Sequence, residues 1–328
     1  MSRISRKVND WRAFHHHLHV WYCEQGRKEL PWRQTPDPYA IYLSEIMLQQ
    51  TQVKTVLERY YFPFLKRFPT LTKLASAKQD EVLQSWQGLG YYNRALNLHK
   101  AAKKCAGSLP QTAEALMSLP GIGRNTAHAI AAFAYRQPVA VMEANVRRVL
   151  ARIFALEHPT EIDLWDKAAL LLDKANPFDY NQAMMDLGAL VCLKSEPHCG
   201  ECPAQSICKG KASPELYPAP KIKKVPPVRR KHIVVLRNKD GQYFAEPRQT
   251  RFLNGLYHFK ETDNAPDGTY LGHIRQQYSH FTLEAEVWLA HAEKTKGKNW
   301  HSLKQLQKLP VSMAEKKVIS LLQPIVLI

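Results

Sequence analysis

Glu45 lies inside a helical pattern, DPYAIYLSEIMLQQTQV (37–53), with Ile41 one turn before it and Leu48 three residues after. A carboxyl on so apolar a face is desolvated, which raises its proton affinity toward the range a general acid needs near neutral pH. The plainer alternative is a boundary glutamate paired with a basic neighbour. A second carboxylate, Glu143 in VMEANVRRVL (141–150), stands at the doorstep of a basic, amphipathic helix. There the helix dipole and free amides favour the ionised form; the plainer alternative is a solvated acid at a favourable helix end. One acid kept protonated and another kept charged is the arrangement that cleaves a glycosidic bond.

Other residues could bind what such a pair would cleave. Gln49, Gln50, Thr51 and Gln52 follow Glu45's helix directly, amides and a hydroxyl of the kind that read base edges. LPGIG (119–123) joins the helical segments AEALMSL and RNTAHAIAAFAY. Gly121 and Gly123 permit a tight hairpin with open amides at the start of the second helix, which makes an anion site. An ordinary glycine-bearing turn would read the same way, and the charge of the chain tips the reading toward a DNA phosphate. Cys192, Cys199, Cys202 and Cys208 are spaced C-x6-C-x2-C-x5-C within 17 residues. Four thiolates in so short a loop suit a tetrahedral zinc or a four-cysteine iron–sulfur cluster, and spacing alone does not choose. Cys23 and Cys105 stand apart and read as buried cysteines. His15 and His19, four apart, read as surface or boundary histidines and not as a metal pair.

The elements that must position these groups are mostly helical. Trp11, Phe14, Leu18 and Trp21 recur at three- and four-residue spacing, which gives a helix over 8–23. From about 38 to 195 the pattern stays helical, punctuated by FPT, GLG, LPQT, LPGIG and NPFD. Residues 214–231 (PELYPAPKIKKVPPVRRK) hold five prolines among many lysines and arginines, an extended basic linker. Beyond it, HIVVLRNKDGQYFAEPR reads as two strands around an Asp240–Gly241 turn, and FTLEAEVWLA (281–290) places Phe281, Leu283, Ala285, Val287 and Leu289 on one face. A helical tail from about 312 closes the chain. The expected architecture is multidomain, with an all-α domain over 1–213, a Pro/Lys/Arg-rich linker over 214–231 and a small α+β domain over 232–328.

Composition limits the partners. In 328 residues, 46 Lys and Arg stand against 29 Asp and Glu, a net charge of +17 that points to a polyanion. No apolar run approaches a membrane span and no signal-peptide layout opens the chain, so a soluble, cytoplasmic protein is expected, with no membrane partner. Six cysteines in a chain of this length exclude a disulfide scaffold.

Together these residues resemble the MutY family of adenine DNA glycosylases, within the helix-hairpin-helix superfamily. The likeness is dense at GRKELPWR, YLSEIMLQQTQVKTV, GLGYYNRALNLHKAA, LPGIGRNTA, NVRRVLAR, NQAMMDLGALVC and the cysteine spacing, and covers nearly the whole chain. It implies an all-α helix-hairpin-helix glycosylase domain, a [4Fe–4S] cluster on the four cysteines, and a C-terminal domain similar to Nudix hydrolases. The implied activity is removal of adenine mispaired with 8-oxoguanine or guanine in double-stranded DNA, by a monomeric bacterial enzyme at the nucleoid. By the same resemblance Glu45 is the acid that protonates nitrogen-7 of the flipped adenine, and Arg33 and Leu48 surround that base. Gln50, Thr51, Leu89 and Tyr91 wedge into the stack or touch the 8-oxoguanine. Ser279 faces the lesion from a YSH loop (278–280) that includes His280. GLYHFKETDNAPDGTYLGHIRQQ lacks the glutamate-rich box of a Nudix hydrolase, so pyrophosphatase activity is not expected.

One departure falls on the chemistry. Where the family has aspartate followed by glycine, this chain has Glu143 and Ala144, between flanks that align without gaps. Asn125 stands where relatives often carry a tyrosine or serine that supports the aspartate, and His128 where a small residue is usual. Glutamate adds one methylene, about 1.5 Å of reach, and a misplacement of about 1 Å can cost about a hundredfold in rate. Coordinated changes at Asn125, Glu143 and Ala144 read as a retuned site, with Asn125 holding the longer acid by a hydrogen bond. The rival readings are a lesion-binding protein that excises weakly or not at all, and a glycosylase retargeted to another base.

Overall fold

The computed structural model describes residues 3–220, 225–292 and 297–323, with 3–10 by their backbone alone. The chain forms two compact units, Met1–Gln49 with Gly107–Ile222, and Gln50–Ala106 with Lys223–Ile328. The helical stretch 50–106 thus joins the C-terminal residues in one unit, a grouping that a sequence boundary at 213 does not contain.

The first unit is helical: Arg3–Gln25, Pro31–Gln34, Pro38–Leu48, Ala113–Met117, Arg124–Tyr135, Ala144–Ile153, Glu161–Leu171 and Pro177–Asp186, the last running into a π turn at Leu187–Val191. Local chemistry sets the ends. Pro31, Pro38 and Pro177 occupy first-turn positions, where no amide hydrogen is needed. Asp37 accepts from the Tyr39 amide at 3.0 Å, and Thr160 with Asp163 forms a reciprocal capping box. Phe14 and Leu18 of the first helix are fully buried against Val149, Leu150, Ile153 and Leu171. A second cluster joins Ile41 of the Glu45 helix to Ala129, Ala132, Phe133 and Val141. His15 bonds to the Leu171 carbonyl at 2.8 Å, while His19 meets the Cys23 sulfur at 3.6 Å. Cys23, expected to be buried, is exposed, because it lies on the outward side of the helix stripe that packs Phe14, Leu18 and Trp21 inward.

The second unit holds short helices from Val53–Arg59 to Asn93–Lys104 and the C-terminal strands β1 Val228–Arg237, β2 Tyr243–Phe244, β3 Glu246–Pro247, β4 Tyr257–His258, β5 Lys260–Thr262, β6 Thr269–Gln277, β7 Thr282–His291 and β8 Trp300–His301. The main sheet runs β6-β7-β1-β2-β8, with β5 also on β1; β3 and β4 pair separately. The Asp240–Gly241 turn does join β1 to β2, but β2 is only two residues long. The chief partner of β1 is β7, parallel from Val228↔Thr282 to Arg237↔His291. That pairing draws residues 228–231, expected in the linker, into the sheet; residues 221–224 of that linker lie outside the described residues. The alternation in 281–290 is realised, with Phe281, Leu283, Ala285, Val287 and Leu289 all buried in the core of this unit. Ser312 caps the closing helix Met313–Leu321; 324–328 lie outside the described residues. Among the described residues no helix is long and apolar enough to cross a membrane.

Candidate active site

Glu45 occupies the third turn of Pro38–Leu48, between Ser44 and Ile46, which are 0% and 3% exposed. Burial pushes its carboxyl from the ordinary 4.5 up to about 8; Glu143 adds to the rise and Arg33 opposes it. Near neutral pH such a group is a neutral acid with a proton to give. Arg33, on the short helix Pro31–Gln34, is itself held fast. It donates through Nη1 to Asp186 Oδ2 at 2.6 Å and through Nη2 to Oδ1 at 2.9 Å, and Arg27 binds the same carboxylate through Nε at 2.8 Å. Asp186 is fully buried, and these partners hold its carboxyl below the usual range despite the burial. Leu48 ends the Glu45 helix, half-buried.

Glu143 is the N-cap residue of Ala144–Ile153, and its side chain makes no capping bond. The expected pull of amides and dipole is not what sets its proton affinity: burial dominates and pushes its carboxyl up, against a lesser pull from Arg147. Arg147 is engaged elsewhere, donating through Nη2 to Glu161 Oε2 at 2.7 Å. The hydrogen bond expected from Asn125 also takes another course. Asn125 Nδ2 donates to the Met142 carbonyl at 2.6 Å, so it grips the backbone before Glu143. Its Oδ1 is buried without a partner.

In the hairpin between Ala113–Met117 and Arg124–Tyr135, Gly121 takes φ 77°, a left-handed conformation that favours glycine. Ile122 is 6% exposed and anchors the turn in the core. Gly123 is the N-cap of the second helix, exposed, and a Cβ there would meet nothing within 4 Å. The amides of that helix start are thus open to a ligand.

In the second unit, Gln50 is exposed at φ 56° and Tyr91 is 45% exposed at φ 50°. Leu89, expected among the groups that touch DNA, is only 6% exposed, since the tight GLG turn folds it inward. Arg94 ties the two segments together through Nη2, donating to Thr51 Oγ1 at 3.2 Å and the Gly90 carbonyl at 3.2 Å, with its guanidinium over the Tyr91 ring. Ser279 and His280 form the exposed tip between β6 and β7, Ser279 Oγ lying 3.3 Å from His280 Nδ1. Tyr91, Arg94, Phe252, Tyr278, Ser279 and His280 line one cavity of about 720 Å³.

Cys192, Cys199, Cys202 and Cys208 line one small cavity with Arg152 and Lys211. Among the described residues no three His, Cys, Asp or Glu side chains form a group that could hold a metal ion. Burial pushes Cys202 up to about 12 and raises Cys208. Arg152, 4% exposed, donates to Cys192 Sγ at 3.3 Å and to the Lys194 and Pro214 carbonyls at 3.1 and 2.9 Å. Arg148 reaches the Cys192 carbonyl at 2.9 Å and the Gly188 carbonyl at 2.6 Å. A Cβ on Gly188 would lie 2.6 Å from that of Asn145, so only glycine lets this helix approach so closely.

Sequence reasoning passed over Asp186, Gln182 and Asn181. Gln182 is 3% exposed, with Oε1 buried and unpartnered. The signal was present: three polar residues in the otherwise apolar run NQAMMDLGALV.

A glycine hairpin and a desolvated acid in one helical unit define a class. Residues 43–171 match the family model described as HhH-GPD superfamily base excision DNA repair protein. A thermostable thymine-DNA glycosylase superposes with a TM-score of 0.58 at 26% identity, covering 63% of this chain and 98% of that one. Adenine DNA glycosylase of Buchnera aphidicola subsp. Acyrthosiphon pisum is 34% identical over 255 residues, 74% of this chain and 73% of the relative. The chain belongs to the adenine DNA glycosylase family. The rat adenine DNA glycosylase is 45% identical over 220 residues, 62% of this chain but 42% of the rat protein, so the match spans under half of that relative.

Proposed function

We propose that this protein is a monofunctional adenine DNA glycosylase of base excision repair, hydrolysing the N-glycosidic bond of adenine opposite 8-oxoguanine or guanine in double-stranded DNA. The observation that carries the reading is Glu45, an acid pushed to about 8 by burial and by a second carboxyl, Glu143. In this reading Glu45 gives its proton to nitrogen-7 of the flipped adenine, which turns the base into a neutral leaving group. The sugar left behind develops positive charge, and the ionised Glu143 stabilises it until water adds and gives up a proton to the carboxylate that Glu45 has become. The negative charge of Glu143 also keeps the proton on Glu45 before the reaction. Arg33, fixed by Asp186, lines the base with Leu48.

The open amides at Gly123, beyond the left-handed Gly121, suit a DNA phosphate. The cavity shared by Tyr91, Ser279 and His280 suits the base opposite the adenine, with Thr51 tied to it through Arg94, Gln50 read as a wedge into the stack, and the C-terminal sheet read as a Nudix-like recognition domain. Four thiols that line one cavity fit a [4Fe–4S] cluster, held by Cys192, Cys199, Cys202 and Cys208. When bound, its chemistry there is to keep the four thiolates charged and to cross-link the loop. Arg152 and Arg148 hold that loop to the helix that Glu143 begins.

A second reading, a protein that binds the mispair and excises slowly, draws on one observation: burial raises the proton affinity of Glu143, which opposes the charged form that a developing cation needs. Glu45→Gln tests the first reading. It should abolish excision and leave mispair affinity nearly intact, because the amide keeps the shape without the proton. Cleavage by Glu45→Gln within about threefold of the parent would remove the general-acid assignment.

A further inference from the structure

We propose that His128 is a positioning residue for Glu143, acting with Asn125 through the backbone segment that delivers this carboxylate to the site. Residues 139–142 join the helices Arg124–Tyr135 and Ala144–Ile153 outside any helix or strand, with 140 and 142 bonded by one helix and 139 and 141 by Asn181. Ala140, Val141 and Met142 are 7%, 2% and 0% exposed. Polar side chains hold this segment almost residue by residue. His128 Nδ1 bonds to the Ala140 carbonyl at 2.9 Å and Asn125 Nδ2 to the Met142 carbonyl at 2.6 Å. Between them Asn181 accepts from the Val141 amide at 2.8 Å and donates to the Val139 carbonyl at 2.9 Å.

The spacing explains why two different side chains are needed. Carbonyls two residues apart on an extended chain face the same side, and helix positions three apart share a face. Residues 125 and 128 therefore meet carbonyls 140 and 142 across one helix–segment interface. The imidazole is fixed on its other side as well, edge-on to Trp165 at 4.9 Å, with the Arg124 guanidinium 3.9 Å over the same indole. Donation to a carbonyl requires a proton on Nδ1, so the bond also sets the tautomer.

Glu143 comes next in the chain, and its side chain has no capping bond to hold it. Its carboxylate therefore sits where the backbone at 140–142 leaves it. The helix that carries His128 is the one that opens at Gly123, so the element offered to a phosphate also sets the acid. Loss of the His128 bond frees the Ala140 carbonyl and lets this backbone drift, and a shift of about 1 Å in a reacting group costs about a hundredfold in rate.

The proposal rests on the glycosylase reading, and the test separates the two. Single-turnover adenine release and mispair affinity are measured for the parent, His128→Phe and His128→Asn, each alone and with Glu143→Asp. Phenylalanine keeps the ring against Trp165 without the donor; asparagine places an amide nitrogen near the Nδ1 position. His128→Phe should lose about tenfold or more in rate with affinity within about twofold of the parent, and His128→Asn should recover most of it. With Glu143→Asp, the two losses should fall well short of multiplying, because both act on one group. Multiplying losses, an unchanged rate in His128→Phe, no recovery in His128→Asn, or a rate loss matched by lost affinity or a lower melting temperature would overturn the proposal. A parent that releases no adenine overturns the glycosylase reading, and the proposal with it.

Discussion

Arg33 and Asp186 form a buried ion pair at 2.6 Å, with side chains 4% and 0% exposed. Arg27 adds a second guanidinium to the same carboxylate at 2.6 Å. One consequence reaches Glu45. Arg33, the charge that Asp186 pairs, is also the one that pulls the Glu45 proton off, and burial with the Glu143 charge outweighs it, so Glu45 remains high.

Asp186→Asn should therefore be among the most damaging conservative changes. It leaves two guanidinium groups without their counter-charge, a loss of about 3–5 kcal/mol, readable by denaturant unfolding. The Asp186 carboxyl is lowered on folding, so its contribution is present above the unfolded carboxylate range and disappears as pH falls through the folded value. The stability gap between parent and Asp186→Asn should narrow on acidification. A constant gap would show that the carboxylate charge is not what Arg27 and Arg33 require.

Glu45 gives the opposite sign. Its folded value, about 8, lies above the ordinary 4.5, so the folded state binds a proton that the unfolded chain releases. The associated stability is complete below 4.5 and is lost as pH rises to about 8. Glu45→Gln escapes this loss, so its melting temperature should gain on the parent across that window and level off above it. In the parent, excision should fall as pH passes about 8, and the acid limb, set by Glu143, should lie above the ordinary glutamate range.

Much of this was legible in the residues. Ile41 and Leu48 flanking Glu45 gave away a desolvated acid, the LPGIG glycines gave the hairpin, and the alternation from Phe281 to Leu289 gave the buried face of β7. What was hidden depends on partners far along the chain. Asp186 lies 153 residues from Arg33, and β1 pairs with a strand that begins after 281. NVRRVLAR read only as a basic, amphipathic helix, and its pattern does not show that Arg148 and Arg152 bind loop carbonyls. Helix-end rules assigned Glu143 to free amides, because they count the dipole and not the neighbours that bury the side chain.

The four-cysteine loop should carry [4Fe–4S]. Purified protein should be brown, with a broad absorbance near about 400 nm. Cys202→Ser should lose the colour and weaken DNA binding. A colourless, folded protein with one zinc per chain would contradict the assignment.

Glu143 separates a retuned site from a decayed one. Glu143→Gln should remove most excision, since a neutral amide cannot stabilise a developing cation. Glu143→Asp alone should also slow it, by leaving the carboxylate short of the sugar, with partial recovery when Ala144→Gly is added. A large gain from Glu143→Asp alone would favour the slow-excising, lesion-binding reading.

The most direct test of the central claim is single-turnover adenine release by the parent protein on duplexes with adenine opposite 8-oxoguanine, guanine and cytosine. Release should be fastest opposite 8-oxoguanine, slower opposite guanine and least opposite cytosine, and Ser279→Ala should narrow the gap between the first two. No release opposite either purine, in protein that binds all three duplexes alike, would contradict the account.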